Sequence, residues 1–399
     1  MAQVENVPQL RFSGFTDTWE QREFEKFAQR KSEMGNSSSV PCVEYEDIIA
    51  DQGRLNKDVF QKKSHKTGVR FSAGDVLFGK LRPYLKNWLF SDFSGVAVGD
   101  FWVLRPSGVD NQFLYYLIQT SEFFIVSNQS AGSKMPRADW NLVSQYIFRI
   151  PGNETEQQKI GSIFRRLDDL ITLHQRKHDA LAKAKKALLE KMFPQDDEKT
   201  PQVRFNGFTD AWEQRELGKT CEITTGGTPS TSISDYWNPK EIPWLSSGEV
   251  HKKRISGTDE KISRRGLENS STRWVKPFSV LIALAGQGKT RGTVAINEIA
   301  LTTNQSIAAI YPAEHDAEFL FQNLESRYAE LRAISSADGS RGGLNKNLLS
   351  AVSIPFTEKR EQGKIGAFFR NLDRLITLHQ RKVEKLKNIK KACLEKMFV

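Results

Sequence analysis

The chain has 399 residues, of which 38% are hydrophobic and 27% charged, and its formal net charge is +10 at pH 7. This length has room for two or three domains, and this composition is that of a soluble globular protein rather than a disordered one. No apolar stretch reaches the roughly 18–20 residues of a membrane span, and residues 1–10 lack the features of a signal peptide. The three cysteines lie far apart, in neither a metal-ligand nor a disulfide pattern, which favours the cytoplasm.

A short repeated segment comes first along the chain. Residues 8–23 read PQLRFSGFTDTWEQRE and return at 201–216 as PQVRFNGFTDAWEQRE, with 13 of 16 positions identical. The shared aromatic residues predict a hydrophobic staple that docks the segment onto a domain, with a turn at the shared glycine. A stacking platform for bases is the alternative, but an identical aromatic set in both copies favours a scaffold. The aromatic residues are Phe12, Phe15 and Trp19 in one copy and Phe205, Phe208 and Trp212 in the other.

Two globular segments, residues 24–151 and 217–355, differ in sequence but share a plan. Each has a buried strand, a second strand that ends in proline, and then a short apolar helix. Each is long enough for its own core and ends in a basic Gly/Ser loop followed by Ile-Pro. We therefore predict one mixed α/β fold, used twice with different loops. The predicted strands are 74–78 and 101–106 in the first segment and 278–282 and 307–312 in the second, and the helices begin near Phe113 and Phe319.

Two long helices follow the globular segments. Residues 159–193 and 364–398 are identical at 24 of 35 positions, and apolar residues recur in heptads through both copies. This pattern predicts a coiled coil, and the alternative is a pair of amphipathic helices buried against the globular domains. The predicted interface residues are Ile160, Leu167, Leu170, His174, Leu181 and Leu188 in the first helix, and Ile365, Leu372, Leu375, His379 and Leu386 in the second.

The order of these pieces predicts an α+β protein with a pseudo-twofold internal repeat. Each domain leads into its own helix, so helices that pair must run antiparallel. The predicted regions are the N-terminal repeat segment 1–23, the first globular domain 24–151, the central spacer helix 152–193, the linker and second repeat segment 194–216, the second globular domain 217–355 and the C-terminal spacer helix 356–399.

The positive charge lies on the two helices. Residues 157–193 have nine Lys/Arg and four Asp/Glu, and residues 362–399 have ten and three. Long basic helices suit a nearby polyanion, although a solvated helical face has the same composition.

Several motifs together resemble the specificity subunit of Type I restriction–modification enzymes, over nearly the whole chain. They are LITLHQRK at 170–177 and 375–382, LRFSGFTDTWE and VRFNGFTDAWE, GDVLFGKLRPYLKN at 74–87, and GGTPSTSISDYWNPKEIPWLSSGEV at 226–250. The resemblance implies two target-recognition domains joined by two long antiparallel coiled-coil helices. It implies that each domain reads one half of a split DNA site, with an unread gap between the halves. It also implies partners: double-stranded DNA, two methylation subunits and restriction subunits, but no membrane. S-adenosylmethionine, ATP and magnesium are expected on those subunits, and no cofactor on this chain.

Competing chemistry is weakly supported. LIALAGQGKT at 281–290 ends like a phosphate-binding loop, but Ala283 stands where the first glycine belongs and a strand pattern, RGTVAI, follows instead of a helix. An adenine methyltransferase needs an Asn/Asp-Pro-Pro-aromatic motif, and the chain has no Pro-Pro. The six histidines form no metal-ligand cluster. We therefore expect a non-catalytic chain, in which this glycine-rich loop contacts DNA.

Candidate DNA contacts are basic and amide side chains in loops, which position phosphates or read base edges. The candidates are Lys80, Arg82, Lys86, Lys134 and Arg137 in the first domain, and Gln287, Lys289, Arg291, Arg341, Asn345 and Lys346 in the second.

Two other functions remain open from the residues alone. A stand-alone two-headed transcriptional regulator would normally be a homodimer that reads a palindrome, whereas here two unlike heads lie in one chain. A coiled-coil adaptor would not need two diverged domains with basic glycine-rich loops.

Overall fold

The structure is a computed structural model that describes residues 7–62, 64–129, 135–195, 198–286, 289–336 and 343–399. The chain forms two compact units, Met1–Gln175 with Gln380–Val399 and Arg176–His379. The first long helix begins in the first unit and ends in the second, and the second long helix does the reverse. Each unit therefore contains one globular domain and a part of both long helices.

The first unit is built on two sheets, with strand orders β3-β7-β10-β4 and β2-β11-β8-β9, and on the smaller pairs β1-β12 and β5-β6. Its strands are β1 (Glu20–Glu23), β2 (Ala28–Lys31), β3 (Met34–Asn36), β4 (Cys42–Val43), β5 (Ile48–Ile49), β6 (Arg54–Leu55), β7 (Thr67–Phe71), β8 (Val76–Gly79), β9 (Trp88–Phe90), β10 (Gly95–Ala97), β11 (Phe101–Pro106) and β12 (Ile147–Ile150). Its helices are α1 (Phe24–Phe27), α2 (Asn111–Leu117), α3 (Ser121–Ser127), α4 (Trp140–Gln145) and the beginning of α5 (Glu154–Met192).

The second unit repeats this plan with sheets in the orders β14-β22-β19-β20-β16 and β17-β15-β21-β18 and with the pair β13-β23. Its strands are β13 (Glu213–Glu216), β14 (Glu222–Thr225), β15 (Ile242–Leu245), β16 (Arg254–Ile255), β17 (Glu260–Ile262), β18 (Trp274–Val275), β19 (Val280–Ala283), β20 (Val294–Asn297), β21 (Leu301–Thr303), β22 (Ile307–Tyr311) and β23 (Ser353–Phe356). Its helices are α6 (Leu217–Thr220), α7 (Arg264–Glu268), α8 (Ala317–Ser326), α9 (Tyr328–Ser336), α10 (Lys346–Ser350) and the beginning of α11 (Lys359–Met397).

The strand and helix predictions for the two domains are confirmed. The central strands β8 and β19 are buried along their whole length, as four consecutive apolar or glycine residues predict. Each pairs antiparallel with the second predicted strand, β11 or β22. The apolar helices that follow are α2 and α8. The mixed α/β architecture and the internal twofold repeat are therefore correct.

Both domains are fastened to their long helices by the same hydrogen bonds. Asp110 caps α2 by accepting a bond from Phe113 N (2.9 Å), and its own amide donates to Gln157 Oε1 on α5 (2.8 Å). Asp316 caps α8, and its amide donates to Gln362 Oε1 on α11 in the same way (2.9 Å). These caps satisfy amide groups that a helix leaves unpaired at its N-terminus. The repeated polar residues thus fix the angle between domain and helix in each unit.

The repeated segments near residues 8–23 and 201–216 dock as the aromatic pattern predicts. Trp19 and Trp212 are buried, and Phe15 lies 4.8 Å beneath Lys159 Nζ. In each segment an arginine forms a two-bond ion pair with a buried glutamate of the long helix, at 2.7 and 2.8 Å for Arg11–Glu156. The second copy has Phe208 under Lys364 at 4.8 Å and Arg204–Glu361 at 2.7 and 2.9 Å.

The long helices begin at Glu154 and Lys359, close to the starts of the predicted spacer helices 152–193 and 356–399. The first starts at Glu154 because Asn153 Oδ1 accepts a bond from Thr155 N (2.9 Å) and caps the helix there. Within each unit the helix segments run antiparallel. Phe164 meets Phe398 at 6.0 Å between ring centroids in the first unit, where Asp168 also binds Lys390.

Nine of the eleven predicted interface residues are buried or partly buried. Ile160 and Ile365 are buried, and Leu167, Leu188 and Leu372 pack against the cores, while Leu181 and Leu386 are partly buried. His174 and His379 are also partly buried.

Leu170 and Leu375 differ from the prediction, because each is 43% exposed. The heptad prediction takes each long helix to be covered only by the other long helix. In the structure α2 also packs on α5, where Tyr116 contacts Phe164 and Asp168. At about 100° per residue, Leu170 lies about 200° around the helix from Asp168.

Candidate nucleic-acid interface

Basic loops follow the equivalent central strands of the two units. In the first unit the chain leaves β8 and passes through Lys80, Arg82 and Lys86 before β9. Arg137 joins them, because the segment 136–138 pairs with this loop: Arg82 N donates to Pro136 O (2.7 Å) and Ala138 N donates to Lys80 O (2.8 Å). We call Lys80, Arg82, Lys86 and Arg137 the first loop surface.

The backbone of the first loop surface has a rare conformation. Arg82 and Lys86 both lie in the left-handed region, with φ of 49° and 56°, on either side of a single 3₁₀ turn at Pro83–Leu85. Non-glycine residues reach this region at a cost of about 1–2 kcal/mol each. Such strain persists where the surroundings enforce it, and it is concentrated at functional sites.

Two residues that the sequence did not single out hold this loop. The Tyr45 hydroxyl donates to Asp100 O (2.6 Å) and accepts from Leu81 N (2.9 Å). Burial raises the pKa of this hydroxyl above its ordinary value, so it stays protonated as a donor. The Asp100 carboxylate lies between two cations, 3.0 Å from Arg137 and 3.6 Å from Lys80. Without DNA, Asp100 therefore orients the side chains that are predicted to contact phosphates.

The second loop surface contains Lys289, Arg291, Asn345 and Lys346. The loop after β19 returns as β20, and Leu344 N donates to Leu284 O (3.1 Å), which brings the segment before α10 beside it. Lys289, Asn345 and Lys346 are exposed. Asn345 also has a structural role, since its side-chain oxygen caps α10 by accepting from Leu348 N (2.9 Å).

Helix α9 contributes residues that the sequence analysis missed. The Tyr328 hydroxyl donates to Lys289 O (2.8 Å) and accepts from Arg332 Nη1 (2.8 Å). The Arg332 guanidinium also lies 5.6 Å from the centre of the Tyr328 ring. The tyrosine and arginine positions in α9 are not distinctive in sequence, and only the fold brings them to this loop.

Lys134, Gln287 and Arg341, which were also predicted to contact DNA, lie outside the described residues. The described part of the second loop is followed by strand β20 and not by a helix. This confirms the strand prediction, and a phosphate-binding loop would need a helix there. Among the described residues no cluster of three His, Cys, Asp or Glu side chains could bind a metal ion. No described helix has the length and apolarity needed to span a membrane.

The two surfaces occupy the same place in a duplicated fold but differ in composition. Both follow the equivalent buried strands, β8 and β19, and both expose basic side chains. Lysine and arginine in such loops neutralise phosphates, which supplies most of the affinity in DNA binding. The fold is therefore that of two tandem α/β domains on a helical framework, each with a basic loop surface suited to binding DNA.

Comparison with known proteins identifies the family. The model of the Type I restriction modification DNA specificity domain matches residues 36–183 and again residues 209–388. The chain therefore belongs to the Type I restriction–modification specificity family, and it has two copies of the specificity domain. This confirms the resemblance given by the repeats and does not favour a stand-alone regulator.

Individual relatives agree with the family. The HindI specificity subunit of Haemophilus influenzae is 24% identical over 354 residues, which cover 70% of this chain and 76% of that protein. The EcoR124I/EcoR124II specificity subunit of Escherichia coli is 25% identical over 166 residues, 41% of each chain. The solved Type I S subunit of M. genitalium has the same fold, with a TM-score of 0.62 and 14% identity over 98% of this chain and 99% of that one.

Proposed function

We propose that the chain is the DNA-recognition subunit of a Type I restriction–modification enzyme. Each domain reads one half of an asymmetric, split DNA site, and partner subunits then methylate adenine or cleave the DNA. The observation that supports this most strongly is the duplicated specificity domain with unlike basic loops after equivalent strands. Identical loops would read the same half-site twice, whereas these loops differ in nearly every residue.

In this proposal the first and second loop surfaces make the DNA contacts. Lys80, Lys86 and Arg137 are half-exposed and lie beside carboxylates at 3.0 to 3.6 Å. Phosphate groups can replace these exposed ion pairs at little cost, because such pairs contribute only about 0–1 kcal/mol. Lysine and arginine then set the position of the domain on the duplex, while sequence is read by contacts with base edges.

The chain acts without a cofactor of its own in this proposal. S-adenosylmethionine, ATP and magnesium bind to the methylation and restriction subunits, and the assembled complex acts in the cytoplasm. The described cysteines Cys42, Cys221 and Cys393 are free thiols, in keeping with a reducing compartment.

We assign the binding of two methylation subunits to the repeated octapeptide LITLHQRK. Leu170 and Leu173 are three residues apart and half-exposed on α5, and Leu375 and Leu378 have the same exposure on α11. Residues three apart share one face of a helix. Leucines kept identical and exposed on two charged helices suit two copies of one partner. Replacing Leu170 and Leu173 with serine should remove one methylation subunit from the complex, which native mass spectrometry would measure.

The recognition role is tested by exchanging one domain. Residues 217–355 are replaced by the same segment of a relative with a known site, and the methylated motif is read genome-wide in cells that also express the methylation subunit. One half of the motif should change to that of the donor, and the other half should stay the same. A change in both halves would contradict the assignment of one half-site to each domain.

A second test concerns catalysis. The purified chain alone should neither cleave DNA nor transfer a methyl group from S-adenosylmethionine, and methylation should appear when the methylation subunit is added. A methyl-transfer activity that stays with the lone chain through several purification steps would contradict the proposal.

A further inference from the structure

The 3₁₀ turn at the centre of the first loop surface is rigid. Lys86 N donates to Pro83 O (2.9 Å) and Leu85 N donates to Arg82 O (2.8 Å), which closes the turn. Asp51 N donates to Lys86 O (3.0 Å) and Arg82 N donates to Pro136 O, so neighbouring segments hold both ends. The turn is therefore preorganised, and a ligand that binds it does not have to order it.

The tip of this turn is apolar and exposed. Tyr84 is 48% exposed and Leu85 is 42% exposed, although the same loop contains three basic residues. The turn buries Pro83 instead. Arg82 and Lys86 are held in the left-handed region on either side of the turn, and this conformation presents Tyr84 and Leu85 outward.

The surrounding charge indicates what covers the tip. The cations of the first loop surface lie before and after it in the chain and in the adjoining 136–138 segment. A polyanion attracted to these cations brings its surface against the tip. Tyr84 and Leu85 cannot neutralise phosphates, but base edges in a groove offer what they can bind: the thymine methyl group for an apolar side chain, and hydrogen-bonding groups for a hydroxyl.

We infer that Tyr84 and Leu85 contact base edges and determine the sequence of one half-site. This inference rests on the proposed function and names the residues that read bases within it. Arg82, Lys86 and Arg137 position the phosphates, and the rigid turn holds the two reading side chains between them. The second unit has glycine-rich sequence at the equivalent place, so the two domains read DNA with different chemistry.

The experiment compares Tyr84→Ala and Leu85→Ala with Arg82→Ala in the full chain assembled with its methylation subunit. The affinity for the cognate duplex, for duplexes with single base-pair changes, and for unrelated DNA is measured over a range of salt concentrations. Tyr84→Ala and Leu85→Ala should lower the ratio of specific to unrelated binding by about tenfold, with an unchanged salt dependence. Arg82→Ala should weaken binding to all sequences and lower the salt slope by about one.

The methylated motif identifies the half-site that is read. Tyr84→Ala should relax at least one base of the half-site that stays unchanged when residues 217–355 are exchanged, and the other half-site should keep its sequence. That intact half-site also shows that the variant folds and assembles. Ile147→Ala is the matched control, because Ile147 is a half-exposed apolar residue on β12, and it should leave the motif unchanged.

Two outcomes separate the inference from the function beneath it. An active Tyr84→Ala, Leu85→Ala double variant with an unchanged motif and an unchanged ratio would overturn the inference alone, as would equal weakening on every sequence. A wild-type complex with no split methylated motif would overturn the proposed function, and the inference with it.

Discussion

Each unit contains an equivalent ion pair between the two long helices, but the residues around the pair differ. In the first unit Lys390 Nζ of α11 lies 2.7 Å from Asp168 of α5. The remaining partners are uncharged: the Tyr116 hydroxyl donates to Asp168 (3.0 Å), and Lys390 donates to Gln119 Oε1 (3.0 Å). Burial and the nearby Asp168 carboxylate raise the pKa of Tyr116 well above its ordinary value. This cluster is one ion pair with neutral hydrogen-bonding neighbours.

In the second unit each helix contributes the opposite member of the pair, so that Lys185 of α5 lies 2.6 Å from Asp373 of α11. Gln322 replaces Tyr116 at the corresponding place on α8 and donates to Asp373 (2.7 Å). Glu325 replaces Gln119, and it forms a second ion pair with Lys185 (3.0 Å). Arg254 then adds a second charged partner to Asp373 (3.2 Å).

This difference shows which parts of the duplication are fixed. The ion pair between the helices is the same in both units, and so are the docking segments and the caps of α2 and α8. The domain residues around the pair have changed from neutral to charged. A buried charge needs a partner, but several sets of partners satisfy it, so the domains can diverge while the helical framework is kept.

The largest expected effect comes from removing the lysine of each pair. Lys390→Met leaves Asp168 without a cation and with only its bond from Tyr116, and removing one member of a buried pair costs about 3–5 kcal/mol. Lys185→Met leaves Asp373 paired with Arg254 and Glu325 paired with Lys253, so we expect a smaller loss of about 1–2 kcal/mol. Hydrogen exchange of α8 and α2 measures the two losses, with the exposed Lys183→Met as control. Equal losses would show that the surrounding charges in the second unit do not matter.

The stability of the two units should also depend differently on pH under acidic conditions. His315 is buried just before the cap of α8, where Val109 stands before α2, and burial lowers the pKa of His315 to about 4. The unfolded chain binds this proton near pH 6.5, so the folded second unit has its full stability above that pH. As pH falls from about 6.5 to about 4 the unit should lose up to about 3 kcal/mol.

Exchange rates of the β19 and β22 amides, measured against pH, test this. His315→Val should remove the pH dependence of this part of the second unit and leave the first unit unchanged. Retention of the pH dependence in His315→Val would assign it to other groups.

A smaller effect concerns one backbone position. Gly74 has φ of 88°, and the residue at the same place before β19 is Phe278, half-exposed with φ of 62°. Phe278→Gly should leave stability unchanged or raise it by up to about 1 kcal/mol, because the strain is relieved at the expense of chain entropy. Gly74→Ala should lower it by about 1–2 kcal/mol, since its Cβ would come within 2.4 Å of Asn111 Nδ2. Thermal unfolding measures both, and a loss on Phe278→Gly would contradict the argument.

The smallest effect is expected at the repeated histidines. We hypothesise that His174 and His379 fix the register of the helices at some cost in stability, as polar residues at heptad positions can. Replacing both with leucine should leave the melting temperature unchanged or raise it slightly. The two single variants should also match each other, because the repeat is identical here. A large loss would mean that the histidines form bonds that stabilise the helices.

The repeats make the framework predictable from sequence. The long helices and the central strands follow from heptads and short apolar runs, and all are found close to their predicted residues. Leu170 was assigned wrongly because a heptad indicates which residues share a face but not which neighbour covers that face. The ion pair of Asp168 with Lys390 joins residues that are 222 positions apart, and no local pattern indicates it.

The candidate site was predictable only in part. The basic character of the loops is visible in the sequence, but the hydrogen bonds that hold the loops in place are not. Tyr45 and Asp100 contact the first loop surface from distant parts of the sequence, and Tyr328 contacts the second from a helix. The left-handed conformations of Arg82 and Lys86 depend on other tertiary bonds, from Arg82 N to Pro136 O and from Asp51 N to Lys86 O, because neither residue prefers that conformation.

The crossing of the long helices between the units has a consequence for synthesis on the ribosome. Phe398 packs at 5.4 Å from Phe113 and 6.3 Å from Trp19, so residues 380–399 complete the core of the first unit. At roughly 5–20 residues per second, translation delivers them about 10–40 seconds after the first domain emerges. The second unit needs no such wait, since its share of α5 is made before its own domain. The domain that is translated first is therefore the one that finishes folding last.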